Sequence, residues 1–403
     1  MPLGFRAGAA AAGIKPSGRP DLGILAATGE PASAAAVYTT NAFAAAPIRL
    51  SRAHLAASGG RVAAVLATSG SANAATGPEG DQDQAELAAF LGGAMGIATD
   101  LTVALSTGMI GTRLPVDRLR RPIIDLAGSL AATDAALSAL AEQICTTDSR
   151  PKSASVRVEL SGAAPGGPVT VAGIAKGVGM IHPRMATMLA VLLTDARVEP
   201  AMLQAMLVPI VERTWNQLTV DGDTSTNDTV FLLASGAQGG PIEAGSPAAG
   251  RLAAGVEAVA RSLARQQAAD GEGATTLITC QVSGGRSDEE ARAVARSIVA
   301  SSLVKAAVHG RDPNWGRVAA AIGNARNGGE LVAVAEDTLA IAIGGVPVFE
   351  RHPLTFDRAL VADRMRAPEV VIRVDLGQGA GEGEAFGCDL SPEYVIENSA
   401  YST

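Results

Sequence analysis

Hydrophobic and polar positions follow two different periods along the chain, one typical of strands and one typical of helices. Two apolar runs, Val62–Gly70 and Leu101–Gly111, end in glycine and predict buried strands that lead into loops. Between them, Asp81–Ile97 has the spacing of a helix. Strands and helices therefore interleave, which predicts the α/β or α+β class.

The second half of the chain continues this alternation. Leu252, Val256, Val259 and Leu263 recur at helical intervals and predict one face of a helix that ends before Asp270. The other predicted elements are a helix over Ala201–Leu218 that Pro209 kinks or splits, a helix capped by Ser287 and Glu290 that runs to about Ser301, two strands joined by a polar turn in Leu331–Phe349, and a strand at Glu369–Gly377. A domain boundary is predicted near Gly284, where a strand gives way to a polar loop.

Composition narrows the class of protein. The 403 residues are 47% hydrophobic but only 3% aromatic, which predicts an aliphatic core large enough for two or three domains. The net charge of −8 argues against nucleic acid or an anionic membrane as a partner. No run approaches the roughly 20 apolar residues of a membrane span, and the start of the chain lacks the leucine-rich core of a signal peptide.

The cysteines favour a reducing compartment. Cys145, Cys280 and Cys388 are odd in number and far apart, without the spacing of a zinc site or of a disulfide framework. We therefore expect a cytoplasmic protein, in which Cys145 and Cys280, each beside apolar residues, are small buried side chains.

The first candidate for chemistry is Thr187, a lone hydroxyl that precedes the apolar run Met188–Leu193. One known way to activate such a threonine is through its own α-amine, which requires a cut between Ala186 and Thr187. An α-amine has a pKa of about 7.7–8, closer to neutral pH than a lysine near 10.4. A histidine base, from His182 or His309, and a purely structural threonine at a strand end are the alternatives.

Five clusters rich in glycine and polar residues could hold a ligand, although any one of them could equally be a tight turn. They are Ser106–Gly111, Lys176–Met180, Val220–Thr229, Asp270–Thr275 and His309–Arg317. Lys176–Met180 lacks the spacing of a phosphate loop, and Val220–Thr229 does not fit a calcium-binding loop despite its three aspartates. The sequence therefore predicts neither a nucleotide cofactor nor a metal.

The stretch KGVGMIHPRMATML, residues 176–189, closely resembles the self-cleavage motif of the ornithine acetyltransferases, the glutamate N-acetyltransferases of arginine biosynthesis. Further blocks resemble this family in the same order: GFRAGAAAAGIK, STGMIG, TTDSRPK, DGDTSTNDT, DGEGAT, VKAAVHGRDPNWGRVAAAIG and YVIENSAYST. The resemblance spans nearly the whole chain. It implies a layered sandwich of central sheets between helices, with a smaller C-terminal α/β part.

The resemblance also implies roles for individual residues. Thr187 would be the nucleophile, first for self-cleavage after Ala186 and then for acyl transfer, with an oxyanion hole from the Thr107 hydroxyl and the Gly108 N–H. The implied substrate contacts are Thr147 (favoured over Thr146), Lys176, Thr187, Glu272, Asn398 and Thr403. The charge of Lys176 suits a substrate carboxylate and that of Glu272 an ornithine ammonium, although the opposite assignment stays open.

The implied reaction is a ping-pong transfer of acetyl from N2-acetylornithine to glutamate through acetyl-Thr187. Acetyl-CoA is an alternative donor in a bifunctional enzyme, and the resemblance implies no other cofactor. Fragments 1–186 and 187–403 would stay associated, as alpha and beta chains of a heterotetramer with two of each. Residues 187–284 would complete the main domain, and 285–403 would form a smaller C-terminal domain.

The sequence departs from the family pattern at three positions. Thr68 and Ser71 replace asparagines of an early loop, and Ser149 stands where threonine is common. These departures raise the alternative of a related acyl-amino acid in a specialised pathway. The rival functions are an N-terminal-nucleophile amidohydrolase or peptidase, with water as the acceptor, and a binding protein that is never cleaved.

Overall fold

The computed structural model describes residues 1–160, 167–182 and 188–400. The strands are β1 Phe5–Ala10, β2 Leu22–Ala27, β3 Ala32–Tyr38, β4 Arg61–Val62, β5 Ala64–Ser71, β6 Thr102–Met109, β7 Lys152–Val158, β8 Val169–Lys176, β9 Leu189–Arg197, β10 Thr229–Pro241, β11 Leu277–Gly285, β12 Arg326–Asn327, β13 Glu330–Leu331, β14 Ala340–Ile343, β15 Val346–Glu350, β16 Glu369–Asp375 and β17 Gly381–Cys388. The helices are α1 Ala46–Ala57, α2 Gly77–Met95, α3 Val116–Ala127, α4 Asp134–Gln143, α5 Pro200–Arg213, α6 Pro247–Ala269, α7 Asp288–Ala300, α8 Ser302–His309, α9 Trp315–Gly323, α10 Arg358–Arg364 and α11 Pro392–Ala400.

Two sheets form the centre of the main part of the protein. The first has the strand order β1-β2-β5-β6, and the second has the order β4-β3-β10-β9-β8-β7. Their facing surfaces share one apolar core, to which Leu25 and Val65 contribute from the first sheet and Ile174 and Leu193 from the second. Alternate residues of a strand point to opposite faces, so each sheet has a second apolar face to cover.

Helices cover the two outer faces. Leu91 of α2 and Ile123 of α3 pack on the outer face of the first sheet. Leu207 of α5 and Leu263 of α6 pack on the outer face of the second. The result is the predicted sandwich of central sheets between helical layers.

A third sheet forms the smaller C-terminal α/β part. Its strand order is β15-β14-β16-β11-β17, and α7 packs on one of its faces. Val294 and Ile298 of α7 share a core with Ile278 and Ile372 of the sheet. The sheet includes β11, which begins before the boundary predicted near Gly284.

Two predicted elements differ from those observed. Pro209 does not split α5, whose packed apolar face continues past it to Arg213. In Leu331–Phe349, the polar turn lies at residues 336–338, between β13 and β14, but the apolar stretch after it is not one strand: it forms the hairpin of β14 and β15 around Gly344-Gly345. Both glycines have positive φ (57° and 78°), which a two-residue hairpin turn of the favoured twist requires.

The register of the second sheet places the termini of three neighbouring strands side by side, at one end of the sheet. Lys176, the last residue of β8, pairs with Leu189, the first residue of β9. Leu189 in turn pairs with Thr229, the first residue of β10. Lys176, Leu189 and Thr229 therefore lie side by side.

We expect Leu207→Ala to lower the free energy of unfolding by about 2–5 kcal/mol, because it leaves a cavity between α5 and the sheet. Leu207 is fully buried, whereas its neighbour Val208 is half exposed. Val208→Ala is therefore the matched control, with an expected change within about 0.5 kcal/mol. Urea unfolding followed by circular dichroism measures both, and equal effects would contradict the assigned face of α5.

Candidate functional site

Seven of the predicted site residues line one small cavity. They are Thr107 and Gly108 at the end of β6, Thr146 and Thr147 after α4, Lys176 at the end of β8, Glu272 after α6, and Asn398 in α11. These residues come from five separate stretches of the chain, which the fold brings together. Ala186, Thr187 and Thr403 lie outside the described residues.

Gly108 has a backbone conformation that requires glycine. Its φ is +127°, and a β-carbon there would lie 2.3 Å from the carbonyl carbon of Gly70 on the paired strand β5. The β5–β6 register shifts at this point. The close approach fixes the path of the chain where Thr107 and Gly108 border the cavity.

Glu272 is held by residues from both halves of the chain. The Thr147 hydroxyl donates to Oε1 at 2.9 Å, and the Asn398 amide donates to Oε2 at 3.0 Å. The backbone N–H of Glu272 donates to the carbonyl of Val178 at 2.8 Å. Gly179 leaves room for the carboxylate, since a β-carbon there would lie 2.2 Å from Oε2.

Lys176 presents a buried ammonium at the cavity wall. Its side chain is 4% exposed, and Nζ donates to the Thr107 hydroxyl oxygen at 3.2 Å. Its carbonyl accepts from the Gln267 amide of α6 at 2.8 Å, which fixes the end of β8. The carboxylate of Asp148 lies beside the ammonium, with Oδ2 at 4.0 Å from Nζ.

Asp148 is a buried carboxylate beside the site that the sequence analysis did not single out. Its Oδ1 accepts from Lys152 Nζ at 2.7 Å and from the Gly177 N–H at 2.9 Å. Burial alone would raise the pKa of Asp148, but the ammoniums of Lys176 and Lys152 outweigh it and hold the pKa below its usual value. The sequence feature that could have identified Asp148 is its position in the TTDS block, directly after Thr146 and Thr147.

Lys152 connects Asp148 to the second half of the chain. Its ammonium, which is fully buried, also lies 2.6 Å from Oδ2 of Asp270, just after α6. The N–H of Ser149 donates to the same carboxylate at 3.2 Å, and the Ser149 hydroxyl donates to Oδ1. Residues 147–152 are thus bound to residues 270–272.

The cluster Val220–Thr229 contributes one wall of the cavity, through Ser225, Thr226 and Asn227. The Asn227 amide donates to the carbonyls of Ala72 and Ser106, at 2.7 and 2.8 Å, and so ties this wall to β6. The sequence marked this cluster as glycine-rich and polar but assigned none of its residues to the site.

The aspartates of this cluster accept hydrogen bonds from the backbone. Asp221 takes the N–H groups of Met180, Ile181 and Asp223, and Asp228 takes that of Met188 at 2.8 Å. Complete burial raises the pKa of Asp228 well above its usual value. In the parts of the chain that the structure describes, no three His, Cys, Asp or Glu side chains are grouped to hold a metal ion.

The two histidines considered as bases have other partners. Nδ1 of His182 lies 3.3 Å from the Thr219 hydroxyl, and Nδ1 of His309 lies 2.8 Å from Oδ2 of Asp389. Neither ring lines the cavity.

A larger groove, of about 740 Å³, lies over the third sheet and is not the site we favour. Several of its charged side chains form ion pairs within the protein. Arg213 is bound to Glu257, and Arg261 is bound to Glu384. The smaller cavity brings together the residues that bear candidate chemistry.

Three comparisons relate the chain to known proteins. A sequence model of the ArgJ family matches residues 6–403. The arginine biosynthesis bifunctional protein ArgJ of Thermus thermophilus is 46% identical over 404 residues, which cover 100% of this chain and 99% of the relative. The protein of the same description from Gloeobacter violaceus is 44% identical over 404 residues, or 99% of this chain and 96% of the relative. A crystal structure of Bacillus halodurans ArgJ is 40% identical with a TM-score of 0.50, and the match covers 52% of this chain and 98% of that chain.

The layered α/β fold with its polar, charge-bearing cavity is that of an α/β enzyme that binds a small molecule. The match over nearly the whole length then settles which one: the chain belongs to the ArgJ family. No helix in the described parts of the chain has the length and apolar composition of a membrane span.

Lys15 supports the cavity from outside. Its ammonium donates to the carbonyls of Pro20, Gln143 and Cys145, at 3.0, 2.9 and 2.7 Å. The last two carbonyls lie just before Thr146, so this lysine fixes the start of the cavity-lining loop. Burial, with a contribution from the charge of Arg19, lowers the pKa of Lys15 from 10.5 to about 8.

We expect the stability advantage of the wild type over Lys15→Met to increase as the pH rises from about 8 to 10.5. In this range the unfolded chain still binds the Lys15 proton and the folded chain has released it, so raising the pH favours the folded state. Denaturant unfolding of both proteins at pH 7, 8, 9 and 10 measures the difference. A difference that stays constant across this series would contradict the lowered pKa.

Proposed function

We propose that this chain is a self-cleaving acetyltransferase that moves acetyl from N2-acetylornithine to glutamate, with Thr187 as the nucleophile. The observation that carries the proposal is the single cavity lined by Thr107, Gly108, Lys176, Glu272 and Asn398. Membership of the ArgJ family, whose relatives are named as enzymes of arginine biosynthesis, supports the same reaction.

In the precursor, the Thr187 hydroxyl attacks the carbonyl carbon of Ala186, and the peptide bond becomes an ester. Water then hydrolyses this ester, leaving a carboxylate on Ala186 and a free amine on Thr187. That amine is a base with a pKa of about 7.7–8, suited to accept the proton of the neighbouring hydroxyl near neutral pH.

In the first half of the exchange, the hydroxyl oxygen of Thr187 attacks the acetyl carbon of N2-acetylornithine. The carbon–nitrogen bond breaks, the departing α-nitrogen takes the proton, and ornithine leaves an acetyl ester on Thr187. The α-amine of glutamate then attacks this ester, and N-acetylglutamate departs while the hydroxyl regains its proton. The first half converts the free Thr187 hydroxyl into the acetyl ester and the second half restores it, so the full cycle returns the enzyme to its starting form, as a ping-pong mechanism requires.

The negative oxygen that forms in each step needs hydrogen-bond donors. Lys176 can only donate, so its 3.2 Å contact with the Thr107 oxygen leaves the hydroxyl proton of Thr107 free to point elsewhere. We assign that proton and the Gly108 N–H to the oxyanion hole. Loss of one such donor typically lowers the rate by about 10²–10³-fold.

We orient the substrate in the cavity by pairing its charged groups with side chains of opposite charge. We place the substrate carboxylate at Lys176 and the side-chain ammonium of ornithine at Glu272. Thr147 and Asn398 already donate to the two oxygens of Glu272, and this orients the carboxylate without neutralising it. Thr146 lines the same cavity, and Thr403 belongs to this set by resemblance alone.

The rival hydrolase shares the first half-reaction and differs only in using water as the acceptor. Family membership favours the transferase. The relatives are also described as bifunctional, and we propose acetyl-CoA as a second acetyl donor on that ground.

Fragments 1–186 and 187–403 would remain together as alpha and beta chains. The β8–β9 pairing and the contact of Lys152 with Asp270 both join residues from the two sides of the proposed cut. We further propose a cytoplasmic heterotetramer with two of each chain, a location consistent with three free, buried cysteines.

We expect wild-type protein to yield two chains, 1–186 and 187–403, and Thr187→Ala to yield one uncut chain without exchange activity. Intact-mass spectrometry and an assay for N-acetylglutamate formed from acetylornithine and glutamate measure both properties. Thr187→Ser, which keeps a hydroxyl, is the matched control and should still be cut. An uncut and inactive wild type would overturn the mechanism, and release of free acetate whether or not glutamate is present would favour the hydrolase.

We expect Glu272→Gln to lower kcat/KM for acetylornithine by about 10- to 100-fold, because a charge-assisted hydrogen bond is lost. The matched substrate is N2-acetylnorvaline, which lacks the side-chain ammonium and should respond little to the substitution. An equal loss with both substrates would show that Glu272 does not bind the ammonium.

A further inference from the structure

The reaction leaves one group of buried charges without a role. Lys152 is fully buried and does not line the cavity, yet its ammonium contacts both Asp148 and Asp270. Charged side chains are almost never buried to this degree without a partner, because removal from water costs several kcal/mol per ion. The position of this lysine therefore calls for an explanation beyond surface solvation.

We propose that Lys152 is a positioning residue that holds Lys176, Thr147 and Glu272 in place around the cavity. The proposal deepens the proposed function and rests on it for the identity of the substrate. Lys152 would touch neither the substrate nor the reacting atoms, and would act through Asp148 on one side and Asp270 on the other.

The first arm of this arrangement runs through Asp148. Its carboxylate accepts from Lys152 and from the Gly177 N–H, and its Oδ2 faces the Lys176 ammonium at 4.0 Å. Lys152 and Gly177 hold Oδ1, and the Thr146 N–H donates to Oδ2 at 3.1 Å. The carboxylate held in this way keeps Oδ2 facing Lys176. Asp148 thus positions the Lys176 ammonium, which we propose binds the substrate carboxylate.

The second arm runs through Asp270, two residues before Glu272. Asp270 is bound by Lys152 and by both the N–H and the hydroxyl of Ser149. These contacts hold the loop that carries Thr147 against the end of α6. Thr147 then reaches Glu272 at 2.9 Å.

The charges of the cluster balance. Lys152 and Lys176 supply two positive charges, and Asp148 and Asp270 supply two negative ones. If Lys152 is made neutral, Asp148 and Asp270 lose the ammonium that both contact, and like charges at this range disfavour joint ionisation. If Asp270 is made neutral as well, the balance returns and the contact between Asp148 and Lys176 is kept.

The test compares Lys152→Met with two double variants, Lys152→Met/Asp270→Asn and Lys152→Met/Asp148→Asn. Ornithine affinity by calorimetry and kcat/KM for the acetyl exchange are measured for each. We expect the single variant to lose roughly 10- to 100-fold in both, the scale of a misplacement of about 1 Å. The Asp270 double variant should recover most of this loss, because charge balance returns and the Ser149 N–H and hydroxyl can still bind the side chain at position 270. The Asp148 double variant should not recover, because it also loses the carboxylate that faces Lys176.

The matched control is Lys305→Met. Lys305 is also buried and donates to the carbonyl of Cys388, but it does not line the cavity or contact the cluster. Its loss should lower the melting temperature without weakening ornithine binding. The acid limb of the pH–rate profile should move to higher pH in Lys152→Met, where Asp148 has lost one of its two ammonium partners, and should not move in Lys305→Met.

Two results would overturn the proposal. One is a Lys152→Met protein that is less stable but binds ornithine as the Lys305 control does, and the other is equal recovery by both double variants. If Lys152→Met does not fold, the comparison of the two double variants decides.

Failure of the proposed function has a different signature, in which the wild type itself neither binds ornithine nor exchanges acetyl. Hydrogen exchange of the peptides 145–152 and 176–180 then decides about Lys152. Faster exchange of these peptides in Lys152→Met than in Lys305→Met supports a positioning role, and equal exchange in the two variants contradicts it.

Discussion

The architecture of the site depends on a group of four charges removed from water. Lys152 contacts both Asp148 and Asp270, and Asp148 in turn faces Lys176 at 4.0 Å. These contacts join three separate segments of the chain. Buried ion pairs add little net stability, because desolvation offsets their attraction, but breaking one leaves an uncompensated charge. Such a cluster therefore tolerates few alternative arrangements of the chain around it. Because Lys176 belongs to this cluster and also lines the cavity, the cluster fixes part of the cavity wall.

The backbone on each side of residues 183–187 is likewise held by aspartate side chains. Asp221 accepts from Met180 and Ile181 on the upstream side, and Asp228 accepts from Met188 on the downstream side. The flanking strands β8 and β9 also pair directly. The fold on both sides thus depends on contacts in space rather than on the covalent link between them. A cut between Ala186 and Thr187 would leave every one of these contacts in place.

Much of the fold could be predicted from the sequence because its periods are strong. The helix over Leu252–Leu263 lies within α6, and Ser287 caps α7 as expected, accepting from the Glu290 N–H. Glycine-rich stretches and the family resemblance located the cavity walls. Neither could find the pairing of Lys152 with Asp270, because a contact between segments this distant leaves no local pattern. The hairpin turn at Gly344-Gly345 was not predicted because apolar residues continue on both sides of it. The hydrophobic pattern therefore does not show where one strand ends and the next begins.

The three departures from the family pattern can be weighed by what their side chains do. The Ser149 hydroxyl donates to Asp270, a contact that a threonine hydroxyl makes equally well. The Thr68 hydroxyl lies 2.8 Å from that of Ser106, and the Ser71 hydroxyl donates to the Thr112 carbonyl at 2.7 Å. All three are engaged within the protein, and none lines the cavity. Because selectivity is set by groups that meet the substrate, these departures give no physical reason to assign the enzyme a different acyl-amino acid.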